Sequence, residues 1–279
     1  MNLSLWYFLE MHDYHIHTSL CKHAEGEIEA YIESAMDKGI TEICFTDHIP
    51  FADGFDSEHR MSPSDFNRYV EKIELLRGKY RHMTIMIGIE ADYIEGNEDY
   101  LRKFLSGYPF DLVIMAIHFI KKWTDKQWVF SYEYTEQTLE HQYRDYFDAM
   151  IKGIKTGLFD VVGHLDIIKR PGYPVLNTNR TDVVSVLDAV QAAGMCIELN
   201  TSGLRKHVNS PYPVLEIVQM GVEKGIPFVL SSDAHKPEQV GDFFDDIFNE
   251  LFRFPDLELA QYRQRIATHH KIAQPNLEY

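Results

Sequence analysis

The sequence has few cysteines and no hydrophobic stretch long enough to cross a bilayer. Its three cysteines, among 279 residues, are far apart and form no CxxC motif, which indicates a reducing compartment and no disulfide framework. Residues 1–10 are apolar, but they lack a basic leading segment and are too short to span a membrane. We therefore expect a cytoplasmic protein with no export signal and no membrane partner.

Positive charge is also scarce, because 27 lysines and arginines stand against 43 acidic residues and leave a formal net charge of -16. Such a surface repels a phosphate backbone, so extended contact with nucleic acid is not expected. A small anion can still bind at a locally positive site. The expected partner is a small molecule rather than a polymer.

Helix-like and strand-like segments alternate along the chain. The segment EGEIEAYIESAMDKGI (25–40) has apolar residues at helical spacing, and the β-formers of TEICFTDH (41–48) follow it. About seven such strands occur, and their nearly continuous apolar character indicates a parallel sheet that is buried on both faces. We predict an α/β fold, a distorted seven-stranded (β/α) barrel like the TIM barrel with outer helices. It would form a single domain over 1–279, with residues 1–10 as a candidate N-terminal extension.

Polar side chains collect at the predicted carboxyl ends of these strands, where barrel proteins carry their chemistry. In chain order the strand ends carry His15 and His17, His48, Glu90, His118, His164, Asn200, and finally Asp233 and His235. Side chains two apart on a strand point the same way, so His15 and His17 share a face, as do Asp233 and His235. The first and last strands of a closed barrel are neighbours, so the two pairs should meet.

Several imidazoles with few carboxylates favour Zn²⁺, Mn²⁺ or Fe over Ca²⁺ or Mg²⁺. A single histidine at a strand end is more often a hydrogen-bonded core residue than a ligand. Here, however, half of the fourteen histidines lie at or just after strand ends: His15, His17, His23, His48, His118, His164 and His235. Because one metal takes about four ligands, this set predicts a cluster of two or three ions. Cys21, two residues before His23, is either a buried thiol or a further ligand.

Six motifs in order, DYHIHTSLCKH, FTDHIPF, GIEADY, AIHF, GHLD and SSDAH, resemble those of the PHP (polymerase and histidinol phosphatase) family of metal-dependent phosphoesterases. The resemblance implies three divalent metal ions, zinc first with manganese or iron as alternatives. His15, His17, Glu90 and Asp233 would bind one ion. Glu90 would bridge to a second ion held by His118 and His164. His23, His48 and His235 would bind the third.

Within the family, the chain length and the stretches HFI and GHLDIIKR resemble the free-standing histidinol-phosphate phosphatases of histidine biosynthesis. This implies hydrolysis of L-histidinol phosphate to L-histidinol and phosphate, by attack of a hydroxide that bridges two ions. Glu90, Asp233 and His235 are the catalytic candidates. Asp233, His235 or a metal-bound water would supply the proton for the leaving group, and the residue types do not choose among them.

Cationic side chains that follow strand ends are candidates for holding the phosphate: Arg170, Arg205 and Lys206. A surface charge paired with an acidic neighbour is the alternative for each. Three residues of the insertion after the fourth strand could contact the amine and ring of the substrate or simply begin an exposed helix: Tyr132, Glu133 and Glu136. Asn200 could orient a water or satisfy backbone groups. Asp166, before Asp47 and Asp92, could hydrogen-bond to a ligand imidazole, and structural hydrogen bonding is the alternative for all three.

Three rival functions fit parts of the sequence. A nuclease or nucleotide phosphoesterase fits the same motifs, but the acidic surface disfavours long nucleic acids. An amidohydrolase barrel also begins with an HxH motif, yet the fourth strand end offers no lysine in a ligand position. A metal-binding protein without activity would be favoured by a missing ligand, and all nine positions are filled. A phosphomonoesterase remains the prediction.

Overall fold

A computed structural model describes residues 11–131, 135, 138–169 and 172–272. The strands are His12–Ile16 (β1), Glu42–Phe45 (β2), Thr84–Asp92 (β3), Leu112–Ala116 (β4), Phe119–Ile120 (β5), Gln127–Trp128 (β6), Val161–Val162 (β7), Cys196–Asn200 (β8), Phe228–Ser231 (β9), Glu258–Arg263 (β10) and Ile266–Lys271 (β11). The α-helices are Ile28–Asp37 (α1), Phe66–Lys79 (α2), Glu98–Ser106 (α3), Leu139–Lys155 (α4), Arg180–Ala193 (α5), Leu215–Glu223 (α6) and Phe244–Leu251 (α7).

Nine strands form one sheet in the order β1-β2-β3-β4-β7-β8-β9-β10-β11. Neighbouring strands from β1 to β10 are parallel, and only β11 pairs antiparallel, with β10. The short strands β5 and β6 form a separate antiparallel pair. The prediction of an α/β fold with a mostly parallel sheet is confirmed. Within the described residues, none of the helices is long and apolar enough to span a membrane.

Strand pairing does not close the sheet into the predicted barrel. The hydrogen-bonded sheet has two edge strands, β1 and β11, which do not pair with each other. Strand β1 meets the segment after β9 through one parallel bridge, between Ile16 and Ala234. There the His17 N–H donates to the Ala234 carbonyl at 2.9 Å. The ladder cannot extend to the other end of β9, because β10 occupies that edge and pairs Leu259 with Phe228.

The hairpin β10–β11 has no counterpart in the sequence prediction, which ended the sheet at residue 235. Tyr262 of β10 is 3% exposed, and its hydroxyl donates to the Asp160 carbonyl at 3.1 Å. The Tyr262 N–H donates to the hydroxyl of Tyr14 at 3.3 Å. Arg265, in the turn, pairs with the Asp160 carboxylate at 2.9 Å. The hairpin therefore packs against the amino ends of the parallel strands, away from the polar strand ends.

The core has two parts. The larger lies between the sheet and the helices, and a smaller cluster draws side chains from the strands: Tyr14, Cys44, Met86, Leu112, Ile114, Val161, Cys196, Val229, Ala260 and Tyr262. Cys44 and Cys196 are buried there as apolar thiols, and Cys21 is buried elsewhere. Strands β1 to β4 and β7 to β10 all contribute side chains to this smaller cluster.

Candidate metal centre

All nine predicted ligands lie together at the carboxyl ends of the parallel strands. Short contacts between their polar atoms link them in one network. The Nε2 atoms of His15 and His17 are 3.0 Å apart, and those of His23 and His235 are 2.9 Å apart. Strand alternation explains the first pair, since residues 15 and 17 point the same way from β1. The second pair joins segments 212 residues apart in sequence.

Glu90 stands at the centre of one group. It is 1% exposed, and its Oε1 lies 2.8 Å from His164 Nε2 and 3.7 Å from His118 Nε2. Its Oε2 lies 2.7 Å from His48 Nδ1. The Nε2 atoms of His15 and His17 lie 3.4 Å and 3.6 Å from the same Oε2. Five imidazoles thus surround one buried carboxylate, and a carboxylate in this arrangement can serve two cations.

Asp233 joins the other group, with its Oδ1 at 3.3 Å from His17 Nε2 and 3.9 Å from His15 Nε2. Its φ of 52° is in the left-handed region, which a non-glycine residue adopts at a cost. Arg205 holds this turn, because its Nη2 donates to the carbonyls of Ser232 at 2.6 Å and Asp233 at 3.0 Å. The carboxylate is therefore fixed from both its backbone and its side chain.

Asn200, the strand end without a predicted ligand, has a supporting place in this group. Its side-chain oxygen accepts the Ser202 N–H at 2.8 Å, and its Nδ2 donates to Asp233 Oδ2 at 3.3 Å. The Ser202 hydroxyl donates to the same carboxylate oxygen at 3.0 Å. Both donors leave Oδ1 of Asp233 facing the histidines.

The residues fit divalent cations. Two buried ring nitrogens in the site, His17 Nδ1 and His164 Nδ1, have no hydrogen-bond partner among the described residues. Buried polar atoms without partners are costly, and each deserves a cause. Nitrogen and carboxylate donors that converge at hydrogen-bond distance match the ligand set of zinc and similar ions. Cys21 also lies within reach, its sulfur being within 4.8 Å of ligand atoms of His23 and His235.

The charge states suit cation binding as well. Burial raises the pKa of Glu90, but the imidazoles of His48 and His15 outweigh it, so its pKa lies well below the usual range. Burial lowers the pKa of His48 to about 3, which keeps that imidazole neutral. Burial also lowers the pKa of His15, but Glu198 and Glu90 together raise it well above its usual value. A cation would displace the proton that His15 then holds.

Two carboxylates orient ligand imidazoles. Glu198 Oε1 lies 2.6 Å from His15 Nδ1, and its Oε2 accepts the His164 N–H at 2.5 Å. Asp92 accepts the His118 N–H at 2.9 Å and lies 3.1 Å from His118 Nδ1. The contacts to Nδ1 of His15 and of His118 direct the opposite ring nitrogen, Nε2, toward the centre, while the two backbone N–H groups hold the segments that carry His118 and His164.

For Asp166 the structure shows the alternative, structural hydrogen bonding, because its Oδ2 accepts the Lys169 ammonium at 2.9 Å and the Val214 N–H at 3.1 Å. Glu198 was missed altogether. Its signal was present, since a glutamate inside the apolar strand CIELN stands two residues before Asn200 and therefore on the same face. An ionisable side chain in a buried strand has to have a partner.

We expect a Glu198→Gln variant to bind divalent metal and hydrolyse substrate about 10–100-fold less well than the parent chain. The neutral amide would weaken the hold on His15 and would place an NH₂ group against an N–H that now donates to Glu198. Metal affinity by competition with a chelator measures the change. Glu223→Gln, on the surface of α6, is the control, and equal metal affinity in the two variants would contradict the role.

A cavity of about 470 Å³ opens over these residues. The predicted phosphate contacts Arg205 and Lys206 line it, as does Lys236. Arg205 is partly engaged already, with Nη1 at 3.6 Å from Asp242 in addition to its backbone contacts. Four further predicted substrate contacts lie outside the described residues: Tyr132, Glu133, Glu136 and Arg170.

The fold and this site define an α/β protein that presents a histidine- and carboxylate-rich centre at the carboxyl ends of parallel strands. Residues 13–202 match the model of the PHP domain. The chain therefore belongs to the PHP domain family, as the motifs predicted. The matched region includes seven of the nine predicted ligands and ends before Asp233 and His235.

Curated relatives cover most of the chain. A protein of Deinococcus radiodurans named "Probable histidinol-phosphatase" is 36% identical over 86% of this chain and 92% of its own length. The histidinol-phosphatase of Bacillus subtilis is 30% identical over 84% of this chain and 96% of its own. The crystal structure of histidinol phosphate phosphatase from Lactococcus lactis, complexed with zinc, L-histidinol and phosphate, has a TM-score of 0.79. The two chains are 21% identical, and the alignment covers 93% of this chain and 99% of the Lactococcus lactis chain. This similarity supports the fold.

Proposed function

We propose that this protein is a metal-dependent phosphomonoesterase that hydrolyses L-histidinol phosphate to L-histidinol and phosphate, a step of histidine biosynthesis. The convergence of nine ligand-type side chains carries the proposal, because seven of them line one cavity and the other two, His15 and His17, lie against Asp233. The two curated relatives named above, aligned over most of their lengths, support the choice of substrate.

Three divalent ions, zinc with manganese or iron as alternatives, are the proposed cofactors. His15, His17, Glu90 and Asp233 would bind the first ion. Glu90, His118 and His164 would bind the second. His23, His48 and His235 would hold the third. When bound, such ions supply positive charge that stabilises phosphoryl oxygens and lowers the pKa of water. They would also explain how a chain of net charge -16 can bind a dianionic ester.

Side chains of the protein would bind the phosphate and transfer protons. Arg205, Lys206 and Lys236 offer donors to the phosphate from one side of the cavity, and Arg170 is proposed to join them. Asp233, whose Oδ2 accepts hydrogen bonds from Asn200 and Ser202, is the first candidate for carrying the proton that the leaving group needs. His235, 26% exposed on the cavity side, is the second candidate for proton transfer.

We also propose a domain organisation and a fold for the protein. We infer a single domain whose seven parallel strands form a distorted barrel, joined at its carboxyl end by the bridge between Ile16 and Ala234. The hairpin β10–β11 would fill the gap at the amino end. Such a closure accounts for the meeting of His15 and His17, on β1, with Asp233, which follows β9.

A panel of phosphate monoesters tests the function. With zinc or manganese added, we expect the protein to prefer L-histidinol phosphate to a nucleoside monophosphate, to glycerol phosphate and to a short single-stranded oligonucleotide. Dialysis against a chelator should abolish the activity, and adding the metal back should restore it. Preference for the nucleotide or oligonucleotide would favour the alternative, another PHP-type phosphoesterase or nuclease. Activity that survives metal removal would contradict the proposed chemistry.

A further inference from the structure

A row of aromatic rings leads outward from the metal centre. The ring of His23, a predicted ligand, lies 5.5 Å from that of His59, measured between centroids. His59 in turn stacks on Trp128 at 6.2 Å, and Trp128 meets Phe130 edge-on at 5.3 Å. All four side chains line the cavity. One wall of the cavity is thus aromatic from the ligands to its mouth.

Neighbouring residues hold the rings of this wall in place, but the rings remain exposed. Nδ1 of His59 is 2.7 Å from an Asp56 oxygen, and the other oxygen of Asp56 accepts the Arg60 Nε–H at 2.8 Å. Trp128 is fixed by its strand pairing with Phe119. Even so, His59 has a side chain that is 50% exposed, and Trp128 is 44% exposed. Large rings held in place and left open to a cavity are a feature of ligand sites.

The cavity lining also contains cationic side chains. Arg205, Lys206 and Lys236 line it as well, and none of them belongs to the row of rings. A substrate with an anionic end and a flat ring therefore finds a partner for each end. In L-histidinol phosphate, three carbons separate the ester oxygen from the imidazole, so a phosphate at the centre leaves the ring within reach of the residues next to it.

We propose that His59, Trp128 and Phe130 form a ring-binding subsite that selects phosphate monoesters whose leaving group carries a planar nitrogen heterocycle. The inference rests on the proposed function and names how this cavity chooses its substrate. The indole face of Trp128 stacks on the ring, and it attracts the ring further when that ring is protonated. The edge of His59 offers a nitrogen to the same group.

The test compares two substrates in one set of variants. For Trp128→Ala we expect kcat/KM for L-histidinol phosphate to fall about 10–100-fold, while kcat/KM for glycerol phosphate changes less than about twofold. Trp128→Phe, which keeps a ring, should recover most of the loss. His59→Ala provides a second variant in case Trp128→Ala fails to fold. Leu75→Ala, which truncates a 69% exposed side chain on α2 outside the cavity lining, is the matched control.

Binding supplies an independent readout. Calorimetric titration of the metal-loaded protein with L-histidinol in the presence of phosphate should show at least about tenfold weaker binding for Trp128→Ala. If the parent chain prefers L-histidinol phosphate but the ratio of the two substrates is unchanged in both Trp128→Ala and His59→Ala, the subsite is overturned and the function stands. If the parent chain shows no preference between the substrates, the proposed substrate and the subsite both fail.

Discussion

A Glu90→Gln variant should hydrolyse phosphate monoesters on the order of 10³-fold more slowly than the parent chain. Among the described residues, Glu90 is the one carboxylate that contacts His48, His118 and His164 together, so an amide in its place removes a negative charge that two cations would share. The buried amide would also present an NH₂ group to imidazole nitrogens that need to face metal. Loss of rate should therefore accompany loss of metal.

Steady-state rates on L-histidinol phosphate and metal content by elemental analysis measure this effect. The control is Glu95→Gln, which removes a carboxylate that pairs with Lys152 at 2.6 Å on the surface. Thermal unfolding of the metal-free proteins shows whether the variant keeps its fold. A folded Glu90→Gln protein with full metal content and near-normal rates would remove the basis for the proposed centre.

A Tyr262→Ala variant should lower the free energy of unfolding by about 3–5 kcal/mol. The ring is buried in the smaller core cluster with Tyr14 and Cys196, so its removal leaves a cavity there. Its hydroxyl also holds the carbonyl of Asp160, which precedes β7. The hairpin would then separate from the amino ends of the strands.

Urea unfolding followed by circular dichroism measures this loss. Tyr262→Phe keeps the ring and removes only the hydroxyl, so its cost should be about 1 kcal/mol. Ile266→Ala, on the same hairpin but 70% exposed, should cost less than about 0.5 kcal/mol. Equal stability of Tyr262→Ala and Tyr262→Phe would show that the hairpin contributes nothing to closing the sheet.

Local pattern was enough for much of this protein. The alternation of apolar strands with amphipathic helices predicted the parallel α/β sheet, because both periodicities are set by neighbours within a few residues. The i, i+2 spacing in HIH and DAH placed pairs of polar side chains on one face. The order of polar strand ends then predicted that His15 and Asp233, more than two hundred residues apart, would meet.

Contacts between distant segments decided the rest. The hairpin β10–β11 was missed because its strands mix polar with apolar residues and so contain no continuous apolar run. The amino end of the sheet buries the hairpin, and no local window of sequence contains that partner. The ring contacts of Glu198 and Asp92 went unpredicted for the same reason. Sequence distance from a ligand does not determine which carboxylate touches its ring. The sequence alone determined which residue types stand at the strand ends. Only the tertiary structure decided which of them touch, because hydrogen bonds and ion pairs depend on distances of a few ångströms between strands that the chain joins only through long connections.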